Sequence, residues 1–158
     1  MRWLRRFALL IGFSACLAPM AHVLELPNKL RLGGSLWLAV QQHLYSGWGP
    51  LIGAPTEIGG LIINLVLLAA NRRRGRPALL FGLACVAYGA MLLSFFLLNA
   101  PVNEAVNQWT PEAMPTDWAN YRLRWETGHV LAALFALLAL VATLSGTLIT
   151  EPSHHEGK

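Results

Sequence analysis

The chain has 158 residues, 55% of them hydrophobic and 13% charged, with a net charge of +4. That charged share is well below the roughly 25% of a soluble domain, which excludes an ordinary soluble globule and leaves one integral membrane domain. The basic excess lies at the ends of apolar runs, so it reads as a topology signal and excludes nucleic-acid binding as its purpose.

Arg2, Arg5 and Arg6 precede the first apolar run, residues 7–24, which is near the roughly 20 residues needed to cross a bilayer. This start also has the outline of a signal peptide, and Phe13-Ser14-Ala15-Cys16 forms a poor lipoprotein box. Against cleavage, the apolar stretch continues past Cys16 to Leu24, and removal would delete half of a span whose far end carries His22 and Glu25. The span is predicted to end at Leu26-Pro27, because the residue before a proline is pushed out of helical geometry.

Residues 25–50 form the first outer connection. Gly33-Gly34 breaks it, and Leu36, Val40 and Leu44 with Gln41 and Gln42 between them give a short amphipathic helix. That helix is expected at the outer interface or folded over the bundle. Residues 51–71 are the second span, with Glu57 close to its start. Residues 72–76, which include four arginines, make a tight inner turn into the third span, residues 77–98. Asn99, Pro101 and Asn103 close that span. The second outer connection, residues 99–127, is punctuated by Thr110-Pro111 and Met114-Pro115. Thr116-Asp117 then caps a helix that runs into the fourth span, residues 128–149. The expected fold is an all-α membrane four-helix bundle with a short amphipathic outer helix between spans one and two.

Eight of the twelve Lys and Arg residues fall on the side of the two termini and the 72–76 turn. The positive-inside rule therefore places both termini in the cytoplasm and the protein in a bacterial inner membrane. Cys16 and Cys85 lie inside spans, so no loop disulfide is implied. In the tail, His154-His155 is a solvated pair or a weak metal site.

The polar residues cluster at one set of helix ends. His22 and Glu25, three apart, share a helix face; a carboxylate beside an imidazole can fix its tautomer, as in a general base or a metal ligand. The alternative is a polar pair that anchors the helix end. Glu57 is costly in hydrocarbon and needs a partner or a cavity, with Arg122, Lys29 and His22 as candidates. Trp118, Arg122, Trp125 and His129 follow at steps of four, three and four, one helical face. There Arg122 can meet an oxyanion and the two indoles can stack on a planar ligand; the alternative is an interfacial anchor with a snorkelling arginine. Asn99 and Asn103 can cap freed carbonyls or bind a ligand carbonyl. Asn64 is expected to bond between helices, and His43 to face solvent. His22, His43 and His129 with Glu25 and Glu57 are also enough ligands for a metal, though the paired Glu-x-x-His signature of di-iron bundles is absent.

The segment Ala21-His22-Val23-Leu24-Glu25-Leu26-Pro27-Asn28-Lys29, the Gln41…Tyr45 stretch and Asn99-x-Pro101-x-Asn103 with Arg122…Trp125…His129 resemble the anthrone oxygenase-like family of small four-span membrane proteins. The resemblance covers nearly the whole chain. It implies oxidation of an anthrone-like, lipophilic aromatic substrate to a quinone without metal or flavin, so no cofactor, with Asn99, Asn103, Arg122, Trp125 and His129 as the matching positions. A base such as His129 or His22 would remove the acidic C–H, and Arg122 would meet the enolate oxygen. The competing readings are a non-enzymatic membrane partner or small-molecule binder, whose polar cluster only locks helix ends together, and a metal-bound redox protein. Beyond the lipid bilayer, the partner implied is a lipophilic small molecule.

Overall fold

A proline inside an apolar helix need not end it when the freed carbonyl and the last turn find other donors. In a computed structural model, which describes residues 1–150, the first helix α1 (Arg2–Lys29) carries Pro19 and Pro27 within it and continues through Lys29. This corrects the expected end at Leu26-Pro27. The last turn is held from outside as well as by its own backbone: Arg122 Nη1 donates to the carbonyls of Lys29 (3.2 Å), which also accepts the Leu32 N–H, and Leu32 (3.0 Å). The residues of the tail, His154 and His155 among them, lie outside the described residues.

After α1 come α2 (Gly34–Ala39), α3 (Ala54–Asn71), α4 (Arg76–Ser94), α5 (Ala100–Val106) and α6 (Trp118–Thr150). Three wide, π-helical turns join or precede them: Val40–Leu44 after α2, Gly49–Gly53 before α3, and Phe95–Asn99 between α4 and α5. The last has a visible cause. Pro101 has no N–H for the carbonyl of Leu97, and Arg124 Nη2 donates to that carbonyl instead, at 2.6 Å. Span three therefore does not close at Asn99 but runs on to Val106. Four helical stretches are long and apolar enough to cross a membrane: Arg2–Lys29, Gly49–Asn71, Arg76–Val106 and Trp118–Thr150. The chain is an all-α integral membrane four-helix bundle, and among the described residues there is no strand.

α1 and α4 each pack against both α3 and α6, so the spans form a ring in the order α1, α3, α4, α6. Arg5 donates to the Thr150 hydroxyl, which puts the start of α1 and the end of α6 together at the end that also carries the Arg72–Arg74 turn. We call this the basic end and the opposite one the histidine end. Between lipid-dissolved helices there is no hydrophobic drive to associate, so close approach of small residues supplies the packing. Ala15, Ala87, Ala132, Ala136 and Ala139 line the centre. Tyr88 lies directly on Gly60 and Phe81 on Gly146, where any added Cβ would overlap or crowd a ring. Thr143 Oγ1 donates to Asn64 Oδ1 at 2.9 Å, the interhelical bond expected of Asn64. Large apolar side chains such as Leu65, Val66, Val86, Leu93, Leu138 and Val141 are exposed around the outside, as a lipid-facing belt requires.

α2 takes the second of its two expected positions and folds over the bundle. Trp37 and Leu38 are fully buried against Val102, Val106 and Trp125. Gln42 Nε2 clamps the following turn down by donating to the carbonyls of Val106 (2.8 Å) and Trp109 (3.0 Å). His43 points away and is exposed.

Candidate functional site

At the histidine end the ring of helices does not close. A cavity of about 580 Å³ lies between α1, the Gly49–Gly53 turn, α3, the α4–α5 junction and α6, roofed by Gln41, Tyr45 and Trp48. This is ample room for a small planar molecule. Three side chains of its wall, Ile52, Ile58 and Phe96, are also among the exposed apolar residues of the outside, so the mouth lies where lipid would be.

Two imidazoles from opposite helices meet in it. His22 on α1 and His129 on α6 have ring centroids 4.1 Å apart. Trp125, one turn before His129, stands edge-on to it at 4.1 Å and to His22 at 4.9 Å. Tyr45 stands edge-on to His22 at 4.5 Å, and Trp48 lies at 5.8 Å. The result is a pair of imidazoles inside an aromatic wall. Trp125 is fixed by the two asparagines of the α4–α5 junction: Asn103 Oδ1 accepts from its indole Nε1 (2.8 Å), and Asn99 Nδ2 donates to its backbone carbonyl (2.9 Å). Both asparagines line the cavity, yet these bonds hold helices together and orient the indole.

Behind His22 lies a charged pair that the sequence reading missed. Lys29 on α1 and Glu126 on α6 are each 3% exposed and meet at 2.8 Å. Lys29 Nζ also reaches His22 Nδ1 at 3.3 Å and lies over the Trp125 ring at 5.0 Å. The signal for this pair was present but hidden. With the helix continued through Pro27, His22, Glu25 and Lys29 fall at i, i+3 and i+7 on one face. With α6 starting at Trp118, Glu126 sits three before His129.

The remaining expected site residues separate. Glu25 Oε2 is 3.7 Å from His22 Nδ1, beyond hydrogen-bond reach, so the nearer partner of that imidazole is Lys29. Glu25 instead accepts the Tyr45 hydroxyl, does not line the cavity, and has a side chain 42% exposed. Burial first, and then this bond to Glu25, push the Tyr45 hydroxyl above the usual phenol range, so Tyr45 remains a donor. Glu57 lines the cavity and among the described residues forms no ion pair with Arg122, Lys29 or His22. Arg122 and Trp118 lie outside the cavity. Arg122 is committed to the two carbonyls beyond α1 and packs on Trp118 at 4.7 Å, while Trp118 covers Gly34. The stripe of four therefore divides between two tasks: its first two residues seal the end of α1, and its last two face the cavity.

What is left uncommitted defines the chemistry available. Among the described residues the His129 ring makes no hydrogen bond, and Gln41 Nε2 is buried with none. Both line the cavity with Glu57. Among the same residues no three His, Cys, Asp or Glu side chains gather as a metal-ligand set; His43 in particular is on the far side of its turn. Comparison with family models, with curated proteins and with solved structures finds no match for this chain.

Proposed function

We propose that the cavity takes a planar lipophilic molecule from the bilayer and that His129 acts on it as a base, in an oxidation by oxygen of the anthrone-to-anthraquinone type. The observation that carries this reading is the unbonded His129 imidazole, set beside a second imidazole and between aromatic walls, in a cavity whose mouth is rimmed by lipid-facing side chains. The likeness of the His22–Lys29, Asn99–Asn103 and Arg122–His129 segments to the anthrone oxygenase-like family is its second support. A partly membrane-embedded mouth suits a substrate that dissolves in lipid.

The chemistry balances with oxygen as the only co-reactant. His129 takes the proton from the doubly benzylic C–H, leaving an enolate whose oxygen is met by cavity donors, the Gln41 amide first among them. The enolate passes one electron to O2, and the carbon radical and superoxide combine to a peroxide, which takes a proton back from the imidazolium. Loss of water then leaves the second carbonyl: one substrate and one O2 give one quinone and one water. Arg122, committed to backbone carbonyls, has no part in this scheme.

A second reading, ligand binding without turnover, is favoured by the bonds of Asn99, Asn103, Lys29, Glu126 and Arg122, all of which tie helix ends together. Oxygen uptake by the purified protein in lipid nanodiscs, with anthrone as substrate, separates the two. Turnover is expected in the wild type and a loss of at least about a hundredfold in His129→Gln, the scale of one general base. Anthrone binding with no uptake in the wild type would leave the binder. We read the basic end, and with it both ends of the described chain, as the cytoplasmic side of a bacterial inner membrane, on the excess of arginine there.

A further inference from the structure

The two imidazoles of the cavity differ in what they touch, and the difference assigns them different tasks. His22 Nδ1 faces Lys29 Nζ at 3.3 Å. A lysine ammonium has three protons and no lone pair, so in this contact it can only donate. Its charge is held by Glu126 at 2.8 Å. Among the described residues the one competing acceptor beside Nδ1 is Glu25 Oε2, which at 3.7 Å is too far to take a proton from it and already accepts the Tyr45 hydroxyl. Nδ1 therefore carries the lone pair. In the neutral ring the proton then sits on Nε2, across the ring from Lys29. His129 has no such neighbour and makes no side-chain hydrogen bond among the described residues.

We infer that the buried Lys29–Glu126 pair locks His22 as its Nε2–H tautomer, so that His22 is a hydrogen-bond donor to a ligand oxygen and His129 is the imidazole of the two that accepts a proton. Lys29 is a positioning residue in this arrangement: it acts through His22 and touches no ligand. The pairing also gives the ligand a required form. It must place an oxygen atom, carbonyl or enolate, toward α1 and the proton to be removed toward α6. The tasks of donor and base rest on the reading given under Proposed function; the tautomer itself does not.

Nitrogen-15 NMR of histidine-labelled full-length protein in nanodiscs tests this without substrate, with His22→Gln and His129→Gln identifying the two rings. The expected wild-type His22 signature is a proton coupled to Nε2 and an unprotonated Nδ1. In Lys29→Met/Glu126→Met, which removes both buried charges together, this single-tautomer signature is expected to be lost, and Lys29→Arg, which keeps a donor, is expected to retain it. A proton on Nδ1 of wild-type His22 would overturn the inference, as would an unchanged signature in the double variant. Because no turnover is measured, a wrong tautomer and an inactive protein are distinguishable outcomes.

Discussion

The two ends of this bundle are built from different materials. The basic half is closed by small residues, Tyr88 on Gly60 and Phe81 on Gly146, and by the interhelical hydrogen bonds of Thr143 to Asn64 and Arg5 to Thr150. The histidine half is held open. All three π-helical turns fall there, as do Trp37, Trp48 and Trp125 and the Lys29–Glu126 pair. Close packing of glycine and alanine leaves little room there, although the buried Tyr88 and Thr147 hydroxyls find no partner among the described residues. In the histidine half, prolines and wide turns hold helices apart, while Arg124 and Asn99 donate to backbone carbonyls of neighbouring helices. Close packing and an open cavity thus occupy opposite halves of the same four helices, and substitutions in each should fail in different ways.

The largest expected effect lies at the open end. Lys29→Met strands a buried carboxylate and is expected to cost about 3–5 kcal/mol, read as a fall in the midpoint of unfolding in detergent. Lys29→Met/Glu126→Met should recover most of it. If the double variant is no more stable than the single one, the pair is not a mutual compensation.

Next come two glycines that set the halves against each other. Gly60→Ala drives a Cβ into the Tyr88 ring, and Gly128→Ala drives one into the Asn99 amide; each is expected to cost about 1–3 kcal/mol of overpacking. Only Gly128→Ala should also disturb the cavity, because Asn99 must release the Trp125 carbonyl. A changed Trp125 fluorescence in Gly128→Ala with none in Gly60→Ala is the expected contrast, and equal changes would erase it. The smallest effect is expected of Thr143→Val, about 0.6 kcal/mol for one interhelical bond in the closed half, with ligand binding unaltered.

Much of this was legible in the residues. The four spans, the Asn64 bond and the outward His43 follow from periodicity and polarity, whereas these leave the segment after Gly34 between two positions, and it buries Trp37 and Leu38 rather than Leu36 and Leu44. Of the site, His22, Glu57, Asn99, Asn103, Trp125 and His129 do line one cavity. What was not legible depended on where helices stop. Ending span one at Pro27 removed Lys29 from the face of His22, so Glu126, on the helix expected to run into span four, had no visible partner. A proline rule is local, whereas Arg122, which ties down the end of α1 beyond Pro27, is ninety-odd positions away. The same fact takes Arg122 out of the cavity: helical spacing puts it on the stripe of His129, but the carbonyls of Lys29 and Leu32 claim its guanidinium. Gln41 was hidden for another reason, since a polar residue on an amphipathic helix is expected to meet water until the segment is known to lie as a lid.

The most direct test of a ligand cavity at the histidine end is a fluorescence titration of the protein in nanodiscs with a planar anthraquinone. Trp48 and Trp125 form part of the wall, so saturable quenching is expected in the wild type. It should be lost in Ala18→Trp, which fills the cavity from α1 while leaving the closed half of the bundle and its unfolding midpoint intact. Quenching that persists in the filled variant, or a wild type that never saturates, would contradict the account.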